Sequence, residues 1–403
     1  MLKLDLIQTL AFAGLALYAG HFLRRLVPLL ARYNLPAPVL GGLLVALLVT
    51  LGRRFEVTFF AFDTTLQSPL MIAFFTAIGF GASISLLKRG GPQVMTLFLC
   101  ASIGAVVQNI LGMALAQPLG VHPLIGVIGG SLTLAGGPAT GLAFAPLFEQ
   151  AGIPGAATIA IAAAMAGIIA ASVLGGPLAT SLIERFQLKP SRRSLENDAA
   201  LQPEAPAPAR AVTAQNTEAA VLLKSVTMLL SVMWLGAGLS AGFKAMGLTL
   251  PAYIGAMVVA AVVRNLDDVT GKFGLPHRTL EALGTAALTL FIVLALMTLK
   301  LWELADLALP LLVILAAQVA VMALVCLWPM FRLMGRDYDA AVMVSGFCGF
   351  MLGTTANAMA NMETLVERYG PAPRAFLVVP MIGAFFIDFS NALILTTCIN
   401  LFK

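Results

Sequence analysis

Long apolar runs alternate along the chain with short clusters of polar and charged residues, on a scale set by a bilayer and not by a soluble core. About 20 consecutive apolar residues cross the hydrocarbon layer. Such runs lie at 6–23, 35–51, 68–87, 93–117 and 153–183, then at 219–243, 250–263, 280–299, 307–331 and 373–401. Two further stretches, 122–148 and 338–362, are apolar but interrupted by Gly, Ala and Thr. Ten spans with the N-terminus outside place 18 of the 24 Lys and Arg residues on the inner side, in line with the positive-inside tendency. Crossing by the two interrupted stretches as well would throw the basic loop 264–278 outside, so both are read as re-entrant. Lys3 before the first run imitates a signal peptide. Arg24 and Arg25 behind it and the parity of the spans make it a retained segment.

Residues 185–218, with Pro190, Pro203, Pro206 and Pro208 among Arg192, Arg193, Glu196, Asp198 and Glu204, carry no apolar periodicity and predict a flexible cytoplasmic linker. On either side the chain repeats itself at an offset of about 215: Leu35-Pro36-Ala37 answers Leu250-Pro251-Ala252, Gly120 answers Gly335, and Met165-Ala166-Gly167 answers Met381-Ile382-Gly383. Residues 1–184 and 219–403 thus form two units of five spans. Five is odd, so the second unit enters the membrane from the opposite side. The predicted fold is an all-α integral membrane protein of ten transmembrane helices in two inverted five-helix repeats, each with a re-entrant hairpin. Secondary transporters are built this way, with the site near the midplane and made by broken helices.

Composition narrows the function classes. The 403 residues are 60% apolar and only 11% charged, with a mean hydropathy of +0.95, which excludes a large soluble catalytic domain, a disordered regulator and a disulfide scaffold. The net charge of +5 comes without a dense basic tract, so nucleic acid is not a partner. Cys100, Cys326, Cys348 and Cys398 lie in apolar stretches without C-x-x-C spacing and read as packing residues. His21, His122 and His277 are too scattered for a metal site, and Trp302 and Trp328 fit an interfacial belt. No H-E-x-x-H or facing pair of aspartates argues for an enzyme, and no enzymatic cofactor is expected.

The candidate chemistry sits in the interrupted stretches. Ser131-Leu132-Thr133-Leu134-Ala135-Gly136-Gly137-Pro138-Ala139-Thr140-Gly141 must break a helix, since glycine costs about 1 kcal/mol and proline about 3 in a helix interior. A half-helix restarting near Pro138 points its positive end at the break, where an anion binds. In the second stretch Gly353 supplies the break, while Thr354, Thr355 and Asn357 offer hydroxyl and amide groups, with Asn361 one turn on. The candidate substrate-binding set is Gly136, Gly137, Thr140, Gly141, Gly353, Thr354, Thr355 and Asn357. Asp388 lies mid-span, where a carboxylate costs about 2.5–3.5 kcal/mol and so needs a cation, a proton or a hydroxyl cluster. With Asn391, Ser131, Thr133 and Asn361 it forms the candidate sodium-ligating set. Gln108 and Asn109 read as a gating or packing amide pair.

Four stretches carry a resemblance to a known family: Ser68-Pro69-Leu70-Met71 with Ala73-Phe74-Phe75, Leu299 to Ala305, Tyr338-Asp339-Ala340-Ala341-Val342, and Ala375 to Asp388. Over all but the linker the chain resembles the bacterial sodium/glutamate symporters. The resemblance implies a homodimeric inner-membrane carrier of L-glutamate or a related acidic amino acid, with sodium as coupling ion, working by alternating access. In such a membrane the charge count above places both termini in the periplasm and the linker in the cytoplasm. The family's first loop resembles Ser-Gly-Gly-His-Gly-Thr-Gly, where this chain has Ala135 to Gly141 with Pro138, and its second loop commonly has His, Gly and Pro where this chain has Phe347, Met351 and Ala356. A carrier of another carboxylate and a cation/proton exchanger are the alternatives.

Overall fold

The computed structural model describes residues 2–54, 60–85, 91–190, 214–245, 250–302 and 307–402. Most of the expected linker, residues 191–213, and Glu303 to Ala305 of the family-like motif lie outside the described residues. The described chain is almost wholly helical. Its two strands, β1 (Leu2–Lys3) and β2 (Phe60–Ala61), pair in parallel over two residues.

The first unit runs α1 (Leu6–Leu26), α2 (Pro28–Arg32), α3 (Ala37–Arg54), α4 (Gln67–Gly81), α5 (Gly91–Ala116), α6 (Pro123–Leu132), α7 (Gly137–Gln150) and α8 (Ala156–Phe186). The second runs α9 (Ala214–Ala245), α10 (Ala252–Thr270), α11 (His277–Met297), α12 (Ala308–Leu333), α13 (Tyr338–Leu352), α14 (Thr355–Tyr369), α15 (Pro373–Met381) and α16 (Ile387–Leu401). Among the described residues, six helices are long and apolar enough to cross a membrane: α1, α5, α8, α9 over Glu218–Ala245, α11 and α12. Local chemistry sets the ends. Asp5 opens α1 through a capping box with Gln8, Pro28 and Pro123 occupy first-turn positions, and Asp337 caps α13 by accepting from the amide of Ala340.

Two groups of helices result. In one, α1 packs on α3, α3 on α11, α11 on α4, α4 on α10 and α10 on α9. Glycines bring the outer pairs into backbone contact: a Cβ on Gly20 or Gly41 would collide with the backbone of the partner helix at the α1–α3 crossing, as would one on Gly236 or Gly255 at the α9–α10 crossing. The other group gathers α5 to α8 and α12 to α16 around a core in which α13 is buried along its whole length. Leu15, Trp234, Leu309 and Leu324 turn outward, as an apolar solvent allows.

Helix ends sort onto two faces. On one, Thr158 at the start of α8 donates to the Lys300 carbonyl (3.4 Å), and the His122 ring before α6 meets Phe402 after α16. On the other, Phe186 at the end of α8 stacks on Phe331 of α12 (5.4 Å), Gln93 donates to the Met334 carbonyl, and Ser83 after α4 donates to Asp268 of α10 (2.5 Å). Helices α13 and α14 form an antiparallel hairpin on that second face. A Cβ on Gly349 would strike Ala358, and the Tyr338 hydroxyl donates to the Gly370 carbonyl (2.5 Å), so the chain leaves where it entered.

Candidate functional site

Both interrupted stretches break where their glycines stand. In α6 the last turns widen to a π-helix over Ile128–Leu132, with Gly130 at a non-helical φ −104°, ψ −135°. The chain then turns at Ala135 and Gly136 and restarts at Gly137, whose φ of +67° is a left-handed conformation that favours glycine, with Pro138 in the first turn of α7. In the second stretch Gly353 (φ −146°, ψ −102°) separates α13 from α14, and Thr354 caps α14 by accepting from the Asn357 amide (3.3 Å).

The two breaks touch. A Cβ on Gly137 would lie 3.4 Å from the Gly353 carbonyl oxygen and 3.5 Å from the Thr354 methyl carbon. The N-termini of α7 and α14, each with orphan backbone N–H groups and a positive dipole end, therefore meet at one place. The C-termini of α6 and α13 lie beside them, where side chains supply partners to carbonyls the helices leave over: Asn391 to that of Ser131 and Gln108 to that of Met351. Gly136, Thr354 and Thr355 are half-exposed and Ala356 is exposed, while Thr140 and Gly141 are buried.

Other predicted residues are committed to protein partners. Asn357 accepts from the Thr354 hydroxyl (2.6 Å) and donates to the Ser172 hydroxyl (2.7 Å) and the Ile168 carbonyl, and Asn361 donates to the Ala171 carbonyl (3.0 Å), so both pin α14 to α8. The Thr355 hydroxyl donates to the Gly383 carbonyl (2.6 Å), in the π-helical turn between α15 and α16. Ser131 and Asn391 bond reciprocally: the Ser131 hydroxyl donates to Asn391 Oδ1 (2.6 Å), and Asn391 Nδ2 donates to the Ser131 carbonyl (2.9 Å). Thr133 donates to the Ile128 carbonyl (2.6 Å). Asp388, one turn before Asn391, is half-buried, and no hydrogen bond or ion pair to it is found among the described residues. Phe347 is fully buried against Phe350 and α5 and does not face the breaks' exposed side.

Two polar residues at the site escaped the sequence analysis. Gln318, fully buried in α12, donates to the Gln108 carbonyl (2.6 Å). As a lone amide in Leu315-Ala316-Ala317-Gln318-Val319 it carried the mid-span polar signal that singled out Asp388. Tyr253, at the start of α10, stacks on Phe75 (3.8 Å) and meets Phe144 of α7 edge-on (6.1 Å), and its buried hydroxyl lacks a hydrogen-bond partner among the described residues. Its position after Pro251 gave no such hint.

Comparison with known proteins finds relatives that match over nearly the full chain. The family model described as sodium/glutamate symporter matches residues 2–371. The sodium/glutamate symporter of Haemophilus influenzae is 38% identical over 390 residues, covering 96% of this chain and 95% of the relative. That of Escherichia coli is 39% identical over 397 residues, covering 98% and 97%. Among solved structures, a sodium proton antiporter from Methanocaldococcus jannaschii aligns over 98% of this chain and 97% of its own at 13% identity and a TM-score of 0.43, too loose a likeness to bear on fold or function. With identity of this order sustained from end to end, the chain belongs to the sodium/glutamate symporter family.

Proposed function

We propose that this protein imports L-glutamate, or a closely related acidic amino acid, coupled to sodium, with the substrate's anionic groups held between the N-termini of α7 and α14. The observation that carries this reading is the contact between the two breaks at Gly137, Gly353 and Thr354. Backbone N–H groups at two helix starts neutralise carboxylates without burying a fixed positive side chain. Thr140, Thr354 and Thr355 add hydroxyls, and the missing side chains of Gly136 and Gly141 let the break close on Thr140 and α7 close on Ala160 of α8. Sodium belongs on the oxygen-rich side, with Asp388 of α16, one turn before Asn391, as its carboxylate and with Ser131, Thr133, Asn361 and Asn391 shaping its surroundings.

The ten-span, inverted reading supports alternating access. The helix row α1–α3–α11–α4–α10–α9 maps onto itself when the units are exchanged, and Gly20 and Gly41 correspond to Gly236 and Gly255 near the repeat offset. Both ends of the α13–α14 hairpin lie on the face where α8 ends, and α6 starts on the face where α16 ends. These sides are consistent with two re-entrant hairpins from opposite faces, termini outside and the linker inside a bacterial inner membrane. We also infer a homodimer, as the family resemblance implies.

Uptake of labelled L-glutamate into proteoliposomes, driven by an inward sodium gradient and compared with an equal choline gradient, tests the function. Sodium-dependent accumulation is expected; equal uptake in choline would refute sodium coupling. Pro138, standing where the family loop has His, favours a second reading in which another carboxylate is preferred, and competition by a panel of dicarboxylates and amino acids decides between them.

A further inference from the structure

Two adjacent residues of α5, neither of them in the candidate substrate or sodium sets, each hold one of the breaks. Gln108 is 2% exposed and Asn109 1%. Gln108 Nε2 donates to the Met351 carbonyl (2.9 Å), one of the last carbonyls of α13, two residues before Gly353. These terminal carbonyls have no partner within their helix, so a side-chain donor from outside is what satisfies one of them. Asn109 Oδ1 accepts from the Ser131 amide (3.0 Å), immediately after the non-helical Gly130. That bond holds only because residue 130 is glycine: a Cβ there would lie 2.9 Å from Asn109 Oδ1 and 3.0 Å from the Gln108 carbonyl oxygen. The Gln108 carbonyl is itself held by Gln318 of α12. Successive residues on a helix point about 100° apart, so one amide reaches each hairpin, while their Cα atoms stay about 3.8 Å from each other.

We infer that Gln108 and Asn109 are the positioning residues that fix the separation of the two helix breaks, so that one small anion meets both helix N-termini at once. Neither break can shift relative to the other without one of these two bonds parting. The inference rests on the proposed function, in which the breaks together form the substrate site. A wider or narrower gap changes how well both ends grip the same ligand, and it does so without removing any group that touches it.

The test is sodium-driven glutamate uptake by purified full-length protein in proteoliposomes, comparing Gln108→Met, Asn109→Leu, the double variant and Asn109→Asp, each normalised to folded protein by size-exclusion profile and thermal unfolding. Met and Leu match the amides in bulk but cannot make the bonds, whereas Asp keeps the acceptor facing the Ser131 amide. Losing one such bond is expected to raise KM for glutamate about three- to tenfold with the maximal rate little changed. The double variant is expected to exceed the larger single effect by less than about twofold, because a separation lost once is not lost again. Asn109→Asp is expected to stay near the KM of the unmodified protein. Packing residues alone would instead lower the folded yield or the maximal rate at constant KM. Unchanged KM in both single variants, or full multiplication of their effects in the double, would overturn the inference while leaving the transport function standing. If the double variant does not fold, the single variants against Asn109→Asp still decide. Absence of sodium-driven uptake by the unmodified protein would overturn the proposed function and this inference with it.

Discussion

At the scale of single residues the site is unusual in how its polar groups are spent. Asn357, Asn361, Ser131 and Asn391 are bonded to protein partners, whereas Asp388 has none among the described residues. A half-buried carboxylate without a partner calls for a cation or a proton, and a carrier's coupling ion can supply the charge. Asp388→Asn is therefore expected to flatten the sodium dependence of uptake. A sodium activation curve identical to that of the unmodified protein would remove Asp388 from the ion's path. Asn357 is different, because one side chain serves Thr354, Ser172 and Ile168 at once. Asn357→Leu removes these three bonds, worth about 0.5–1.5 kcal/mol each, so the unfolding temperature in detergent should drop. An unchanged midpoint would show that water replaces the amide.

At the scale of elements, the two breaks were legible because Gly136-Gly137-Pro138 and Gly353 contradict helix propensity inside apolar stretches. What stayed hidden was longer in range. The π-helical turn at Ile382–Phe386 sits in an ordinary apolar sequence, yet it is where Gly383 offers its carbonyl to Thr355. The orphan hydroxyl of Tyr253 depends on a crossing of α10 with α4 and α7 that no local pattern encodes. The same glycines put the candidate residues beside the breaks, but no local pattern could say that Asn357 and Asn361 would be tied to α8. The loop joining α10 to α11 offers a separate check on local order. Beyond the apolar part of α10, Asp267 accepts from the amides of Leu275 (3.0 Å), Gly274 (3.0 Å) and Phe273 (2.8 Å). Those backbone bonds, Leu275 first, hold its carboxyl below the usual carboxylate range. A depressed folded-state pKa contributes stability that is present above the unfolded value and lost as pH falls through the folded one. The stability gap between the protein and Asp267→Asn should accordingly be constant near neutral pH and shrink in acid, as read from unfolding midpoints across a pH series. A gap that grows in acid would contradict the assignment.

At the scale of the whole molecule the two hairpins are not in equivalent surroundings. Helix α7 packs on α11, where Leu142 joins the cluster of Phe291 and Ile292, and Phe144 meets Tyr253. On α14 the residues Ala356, Glu363, Thr364 and Glu367 are exposed, a stripe running from the break toward the face where α8 ends. One hairpin packs against the other helix group, while its counterpart keeps an exposed stripe that starts at the breaks. A cysteine at Ala356 should thus react with an impermeant maleimide added to the linker's face, and glutamate with sodium should slow the reaction. Labelling from the opposite face at equal rate would contradict a one-sided opening.

The most direct measurement is equilibrium binding of labelled L-glutamate to the detergent-purified protein, in sodium and in choline, alongside Thr140→Val and Thr354→Val. If one anion lies between the starts of α7 and α14, binding should need sodium and weaken in both variants, one on each hairpin. Sodium-dependent binding of undiminished affinity in both would place the substrate elsewhere in the molecule.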